Sequence, residues 1–481
     1  KQYHKKIYRV AQNNGHAPTA RVRAIKDRDG KLTVEETEIP DTFVEHLKDS
    51  DPYRMQHRTA GPDKGFPWTD TRREDHLTKG PRPKVTMDHL GIHKENYDTG
   101  VYEMNHNKAP GPTRVPNEVL KYMPAGFHDE LHALMQEMWA NRHVPTNWKE
   151  GIFCFHHKKN DPTEQKNYRP IALLEGVFKL YTSLIADMLG DFCETQGILA
   201  QAQEGSRKRR NTLRQLTRVT NAIEDANLSG QELHGMYIDF ENAYGSVDHR
   251  KLLEIMEYLG IPQQLIEVVE NILGTGDQDT MRMKARVGKY TSREQVHVKR
   301  GLLQGDSMSP LLFILYQEPL LRWLETGDNG YVHKYAADQK KLGALRTASG
   351  AFVDDLLILT PNVQKMKAQA AKLEAYSEWS GLKINLGKSA ITGVKHGNKA
   401  ILREIHEGVL ITGADGKRDT LTIYGPNEPY KYLGILLTMT GDWKEEKANT
   451  KKAIQERVAA LLKVPLTPDQ KEYSLHSAIL G

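Results

Sequence analysis

Two adjacent acids, Asp354 and Asp355, interrupt the run Phe352-Val353-Asp354-Asp355-Leu356-Leu357-Ile358-Leu359, whose other members are all apolar. Such a stretch reads as a buried hairpin, and unpaired negative charge buried there costs several kcal/mol. A divalent cation is the simplest compensation. Mg²⁺ is a hard ion that takes carboxylate oxygens and leaves coordination positions for phosphate and water. A third acid, Asp239, ends the apolar strand Met236-Tyr237-Ile238 and is followed by Phe240-Glu241-Asn242-Ala243-Tyr244, which sets aromatic rings close to it in sequence. Two metals held a few ångströms apart by such carboxylates activate an attacking hydroxyl and stabilise a leaving pyrophosphate, which is polymerase or nuclease chemistry. Each piece alone has a plainer reading: an Asp-Asp pair as a solvated turn, an Asp after a strand as a helix cap. It is their combination that points to catalysis.

The elements that must position these acids follow from hydropathy periods. Gly235 to Phe240 reads as a strand, and Ala351 to Thr360 as two short strands broken by the acid pair. Helical stripes run through Leu131, Leu134, Met135, Met138 and Trp139; through Leu180, Leu184, Met188 and Phe192; and through Leu213, Leu216, Val219 and Ile223. Ser309 to Leu324 is a buried apolar helix, Val363 to Trp379 another helix, and Trp443 to Val464 a charged one. Gly151 to His157 and Tyr432 to Leu437 read as strands. Hairpins are expected at 20–36 around Asp29-Gly30, at 281–299, and at 409–424 around Asp415-Gly416. Residues 51–84, rich in Pro, Gly, Asp and Arg, read as a linker or wrapping loop. Strands and helices mix without βαβ alternation, so the fold class is α+β with an antiparallel sheet.

At 481 residues the chain is long enough for several packed lobes. Lys plus Arg number 67 against 62 Asp plus Glu, a formal charge of +5 that does not by itself imply a polyanionic partner. Cys154 and Cys193 are too few for a disulfide framework or a cysteine-rich zinc site, which fits a reducing, intracellular setting. No apolar run approaches the ~20 residues of a membrane span, and no signal-peptide core follows the basic start. The chain begins without Met and stops within a helical pattern, so it is expected to be a piece of a larger protein.

Further motifs stand in a fixed order: Lys108-Ala109-Pro110-Gly111-Pro112; Asn167-Tyr168-Arg169-Pro170-Ile171; Asp239 with Ala243-Tyr244 and Val247-Asp248-His249; Gly301-Leu302-Leu303-Gln304-Gly305-Asp306; Phe352-Val353-Asp354-Asp355; Gly381-Leu382-Lys383-Ile384-Asn385 with Lys388-Ser389; and Tyr432-Leu433-Gly434. From about Asp88 to Leu437 this series resembles the reverse transcriptases of non-LTR (LINE-like) retrotransposons. The resemblance implies a right-hand polymerase: an N-terminal extension and linker over 1–84, fingers with palm-packing helices over 85–235, palm with the primer grip over 236–440, and the start of a helical thumb over 441–481.

It also implies roles. Asp239 and Asp354, with the Phe240 carbonyl and with Asp355 beside them, would hold two Mg²⁺ ions, or Mn²⁺ in their place. Tyr244 would be the steric gate that selects dNTPs, and Gln304-Gly305 would abut the templating pair, where glycine lets backbone come close. Arg169 with Lys158 or Lys159 would clamp the triphosphate, guanidinium geometry suiting phosphate. Lys388 would protonate pyrophosphate, Tyr432, Leu433 and Gly434 would grip the primer, and Gln203, Arg207, Arg209 and Arg210 would contact the template. The family more often carries Lys at 242, Asp at 245, Asp at 113, Gly-Phe at 205–206 and Ala or Gly at 353, where this chain has Asn242, Gly245, Thr113, Gly205-Ser206 and Val353.

The expected partners are an RNA template, a DNA primer or nicked target DNA, and dNTPs, with an endonuclease or further nucleic-acid-binding domains on missing flanks. The expected location is the nucleus, after a cytoplasmic ribonucleoprotein stage. Two rivals stand beside this reading: a polymerase-like RNA-binding scaffold without catalysis, and a group II intron-type maturase, which the Lys108–Pro112 element and the long N-terminal section disfavour. An RNA-dependent RNA polymerase would want a small or polar residue in place of Tyr244.

Overall fold

The structure, a computed structural model, describes residues 22–49, 65–68, 90–275, 279–335, 345–395, 409–414 and 416–476. Most of the expected 51–84 linker, and Asp415 of the 409–424 hairpin, lie outside them. The described chain divides into two compact units, one of Val22–Ile423 and one beginning at Tyr424.

The first unit is built around a sheet in which the strands Ser349–Phe352, Asp355–Thr360, Leu233–Ile238 and Ala390–Val394 follow one another in that order. The Leu233–Ile238 strand is buried along its whole length, because strands lie on both sides of it and helices cover the sheet, and its buried His234 is hydrogen-bonded to Glu232 at 2.6 Å. Its neighbours pair antiparallel to it, Leu356 facing Ile238 and Ala390 facing Tyr237. Against the sheet pack helices Ser309–Glu325 and Val363–Ser380. The latter is punctuated at both ends: the Asn362 side chain accepts from the Lys365 N–H, and Gly381 ends it in the left-handed region at φ +77°.

A second sheet runs Tyr168–Leu174, Glu150–His157, Met281–Val287 and Tyr290–Thr291, with Val296–Val298 also on Met281–Val287. The central sheet has the expected antiparallel pairing, whereas here Glu150–His157 and Met281–Val287 pair in parallel. They come from distant parts of the chain, and the long crossover between them permits that orientation. The class remains α+β.

Helices Ala125–Asn141, Gly176–Thr195 and Thr212–Ser229 form where the periodicity placed them. Their stripes are narrower than read: Leu134 and Leu213 face solvent, while Leu131, Met135, Met138 and Trp139 in the first and Leu216, Val219 and Ile223 in the last are buried. Cys193 is buried in the core and Cys154 half-buried. Within the expected linker, Phe66 and Trp68 are not loose: they stack on each other at 4.8 Å and meet Tyr258, Tyr376 and Trp379 in one aromatic cluster. Among the described residues no helix is long and apolar enough to cross a membrane.

In the second unit the expected strand over 432–437 is a hairpin, Tyr430–Tyr432 against Ile435–Leu437, closed by Leu433 and Gly434 at φ +48° and +89°. Two successive positive φ angles make the type I′ turn that matches strand twist. Helix Lys444–Leu462 follows, and its Glu446 carboxylate accepts from the Leu436 N–H at 2.9 Å.

Candidate active site

Asp239 stands one residue beyond the central strand, and its main chain is held on both sides. Its N–H donates to Ser389 Oγ at 3.0 Å and its carbonyl accepts from the Asn385 N–H at 2.9 Å. The 385–389 turn, which joins strands Lys383–Ile384 and Ala390–Val394, therefore fixes the acid's position. From that turn Lys388 reaches back, its Nζ donating to Asp239 Oδ2 at 3.2 Å.

Across the sheet, Phe352 pairs with Asp355 and leaves Val353-Asp354 as a two-residue turn. Because Leu356 faces Ile238, the register carries Asp355 opposite Asp239, with Asp354 next to it at the hairpin tip. Electrostatics show the three acids to be neighbours. Burial first, then the charge of Asp239, raises the pKa of Asp354, while Arg169 and Lys388 oppose the rise. Asp355 keeps solvent-accessible surface, yet the protein atoms packed around its carboxylate, and then Asp354 and Asp239, push it up to about 6. Acids that resist ionisation in one another's company are short of positive charge.

Cations surround them without cancelling them. Lys158 feels burial first and then the repulsion of Arg169 and Lys388, which lower its pKa, with Asp239 pulling the other way. Arg169 lies exposed on the Tyr168–Leu174 strand opposite His156. Lys159 is exposed on the loop after Lys158.

Tyr244 opens a short 3₁₀ turn beyond Asp239, and its ring stacks flat on Phe313 at 5.1 Å and 4°. Burial, then the charge of Asp354, raises its hydroxyl's pKa, which sets the ring beside that acid. The turn touches the 301–306 loop backbone to backbone: Leu302 N–H donates to the Tyr244 carbonyl at 2.8 Å, and a Cβ on Gly301 would lie 2.8 Å from Gly245 Cα. At the loop's other end the Ala172 N–H donates to the Gln304 carbonyl at 2.7 Å. Gly305, at φ +126°, presses so close that a Cβ would lie 2.3 Å from the Ala172 oxygen. Asp306 then accepts from the Met308 and Ser309 N–H groups at the start of the apolar helix and from Thr182 Oγ1 at 2.7 Å.

Two expected template contacts are corrected by their surroundings. Gln203 is wholly buried and hydrogen-bonds Val353, and Arg207 is buried and engaged with Glu194 and with the Ala200 and Gln203 carbonyls. Both side chains work inside the protein because the loop carrying them lies against the Ser349–Thr360 hairpin. Arg210 pairs with Glu204, and Arg209 is exposed. Tyr432, Leu433 and Gly434 belong to the second unit and form the turn described above.

Some departures from the family pattern are packed on one another. The Asn242 amide, on a residue at φ +46°, fills the space a Cβ on Gly245 would need, with Nδ2 at 2.2 Å. Thr113 donates from its N–H and its hydroxyl to the two oxygens of Glu175, a partner that would repel an Asp at 113. Sequence reasoning gave no role to Glu175, and nothing in its neighbourhood signals one.

For a cation the donors fit in kind: two carboxylates, Asp239 and Asp354, and the Phe240 carbonyl are hard oxygen ligands, and the raised pKa values mark charge awaiting compensation. Among the described residues no three His, Cys, Asp or Glu side chains converge as a cage.

Residues 157–437 match the family described as reverse transcriptase (RNA-dependent DNA polymerase). Relatives from Drosophila melanogaster include a probable RNA-directed DNA polymerase from transposon X-element, 30% identical over 46% of this chain and 24% of its own length. The Pol polyprotein of type-2 retrotransposable element R2DM is 21% identical over 78% of this chain and 32% of its own. The RNA-directed DNA polymerase of mobile element jockey is 24% identical over 74% and 36%. The chain belongs to the reverse transcriptase family, in its non-LTR retrotransposon branch. It spans between a quarter and about a third of the length of these relatives. Divalent metal ions and an RNA template belong to the family's chemistry.

Proposed function

We propose that this chain is the polymerase part of a longer retrotransposon protein and copies RNA into DNA, extending a primer end supplied by a nicked target with dNTPs. The observation that carries this is the strand register that brings Asp239 opposite Asp355, with Asp354 at the adjoining turn. Asp239, Asp354 and the Phe240 carbonyl would hold two Mg²⁺ ions, for which Mn²⁺ could substitute, with Asp355 beside them. When bound, the ions lower the pKa of the primer hydroxyl and neutralise charge on the phosphates.

The chain's own residues do the rest. Tyr244, its ring fixed flat on Phe313, blocks the space a 2′-hydroxyl would need. Arg169 and Lys158, with Lys159 further out, bind the triphosphate; burial, then the repulsion of Arg169 and Lys388, lowers the pKa of Lys158. Gln304-Gly305 presents main chain to the nascent pair. Lys388, whose Nζ donates to Asp239, would protonate departing pyrophosphate. Arg209 and Arg210 would meet template phosphates, and Tyr432, Leu433 and Gly434 the primer. Priming from a nick in chromosomal DNA would set the reaction in the nucleus, with an endonuclease supplied by flanking sequence.

The test is dTTP incorporation on poly(rA)/oligo(dT) with Mg²⁺, comparing the wild type with Asp354→Asn. Incorporation by the wild type alone supports the enzyme. An inert wild type that still binds the duplex would support a silent scaffold instead.

A further inference from the structure

Val353 is poorly suited to its place. It is β-branched, and it holds φ at +58°, in the left-handed region such residues avoid, immediately before Asp354. A strained residue persists only where its surroundings over-determine it. Here the determinant is the amide of Gln203, itself wholly buried. Its Oε1 accepts from the Val353 N–H at 2.9 Å, and its Nε2 lies 3.4 Å from the Val353 carbonyl, so one side chain answers both main-chain groups. The amide's orientation is fixed from outside: Oε1 also takes the Gly205 N–H at 2.8 Å, and Nε2 donates to Gln317 Oε1 at 3.3 Å.

The loop that carries Gln203 is bound to the hairpin as an added edge. Ala351 N–H donates to the Ala202 carbonyl at 2.8 Å, and Glu204 N–H to the Ala351 carbonyl at 2.9 Å. Gly205 approaches so closely that a Cβ would sit 2.4 Å from the Val353 nitrogen. Arg207 locks the far side of the loop, donating to the Ala200 and Gln203 carbonyls while held by Glu194.

We infer that Gln203 is a positioning residue for nucleotidyl transfer: by clamping Val353 it aims the Asp354 carboxylate, and it acts on cation affinity rather than on the template. This rests on the polymerase reading above. The readouts, both with the chain as it stands, are the Mg²⁺ concentration giving half-maximal dTTP incorporation on poly(rA)/oligo(dT) and, without turnover, the Mg²⁺ concentration giving half of the rise in melting temperature. Gln203→Leu is expected to raise both by roughly tenfold or more, the usual effect of losing a group that orients a metal ligand, with KM for the duplex unchanged. Adding Val353→Gly to that variant is expected to recover most of the loss, because glycine takes the left-handed conformation without a clamp.

If thermal melting finds Q203L unfolded, Gln203→Asn, polar and one methylene shorter, replaces it with the same two expectations. Unchanged Mg²⁺ dependence, a raised duplex KM at unchanged Mg²⁺ dependence, or a double variant no better than the single one would each overturn the proposal alone. An inactive wild type would overturn the polymerase reading and the proposal with it.

Discussion

Two tight hairpin turns in this chain solve the same backbone problem in opposite ways. At 433–434 the left-handed angles fall on Leu433 and on Gly434, around which a Cβ would meet nothing within 4 Å. At 353–354 the left-handed angle falls on a valine, and a buried glutamine from a remote loop compels it. The first turn relies largely on local sequence and the second on tertiary contact. Where a side chain must be aimed, as Asp354 must, a turn that cannot relax by itself is the more useful one, since its geometry belongs to the whole core.

The contrast can be broken most severely at the acid. Asp354→Asn is expected to lower dTTP incorporation by roughly 10³-fold or more while the melting temperature holds or rises, because one raised-pKa charge is removed. Next comes Gly205→Ala, whose methyl would meet the Val353 nitrogen at 2.4 Å. Denaturant unfolding should show a loss of about 1–3 kcal/mol, as overpacking gives. Gly434→Ala, with open space around it, should cost only about 1 kcal/mol from backbone preference alone. If the two alanines cost the same, the distinction between the turns is lost.

A pH series sharpens the point from the electrostatic side. The native pKa of Asp355 lies above its ordinary value of 3.8, at about 6, so between those values the native state binds more protons than the unfolded one. Stability contributed by this group is then greatest at low pH and falls as pH rises through that window. A bound cation removes the penalty. The rise in melting temperature on adding Mg²⁺ is therefore expected to grow from about pH 4 to about pH 6 and then level off. A rise independent of pH would separate cation binding from these acids. The smallest effect is reserved for Leu433→Asn, expected to stabilise by a few tenths of a kcal/mol because Asn tolerates left-handed angles.

Legibility from the sequence follows the same division. Asp354 and Asp355 stood out because charge interrupts an apolar run, and Asp239 because it ends one; the strands around them were readable for the same reason. The partnership of Lys388 with Asp239, 149 positions away, has no local signature, and family likeness singles out Lys388 only as a group to protonate pyrophosphate. Gln203 is expected at the template only because its motif resembles the family's template-binding one, and nothing in the sequence says that its loop is covered, as the fold reveals. The 432–437 strand was misread because leucine gives no warning of a positive φ. Leu134 and Leu213 show the limit of periodicity, which marks a stripe without marking where its edge meets solvent.

The aromatic cluster at Phe66 and Trp68 has a practical consequence. Trp68 and Trp379 lie 5.0 Å apart, edge to face and largely shielded from water. Unseating residues 65–68 would wet both indoles and shift their emission to the red, so the intrinsic fluorescence of the chain reports whether its N-terminal portion is docked. Trimming the chain past Trp68 would leave Tyr258, Tyr376 and Trp379 as a bare adhesive patch, and such shortened forms should self-associate.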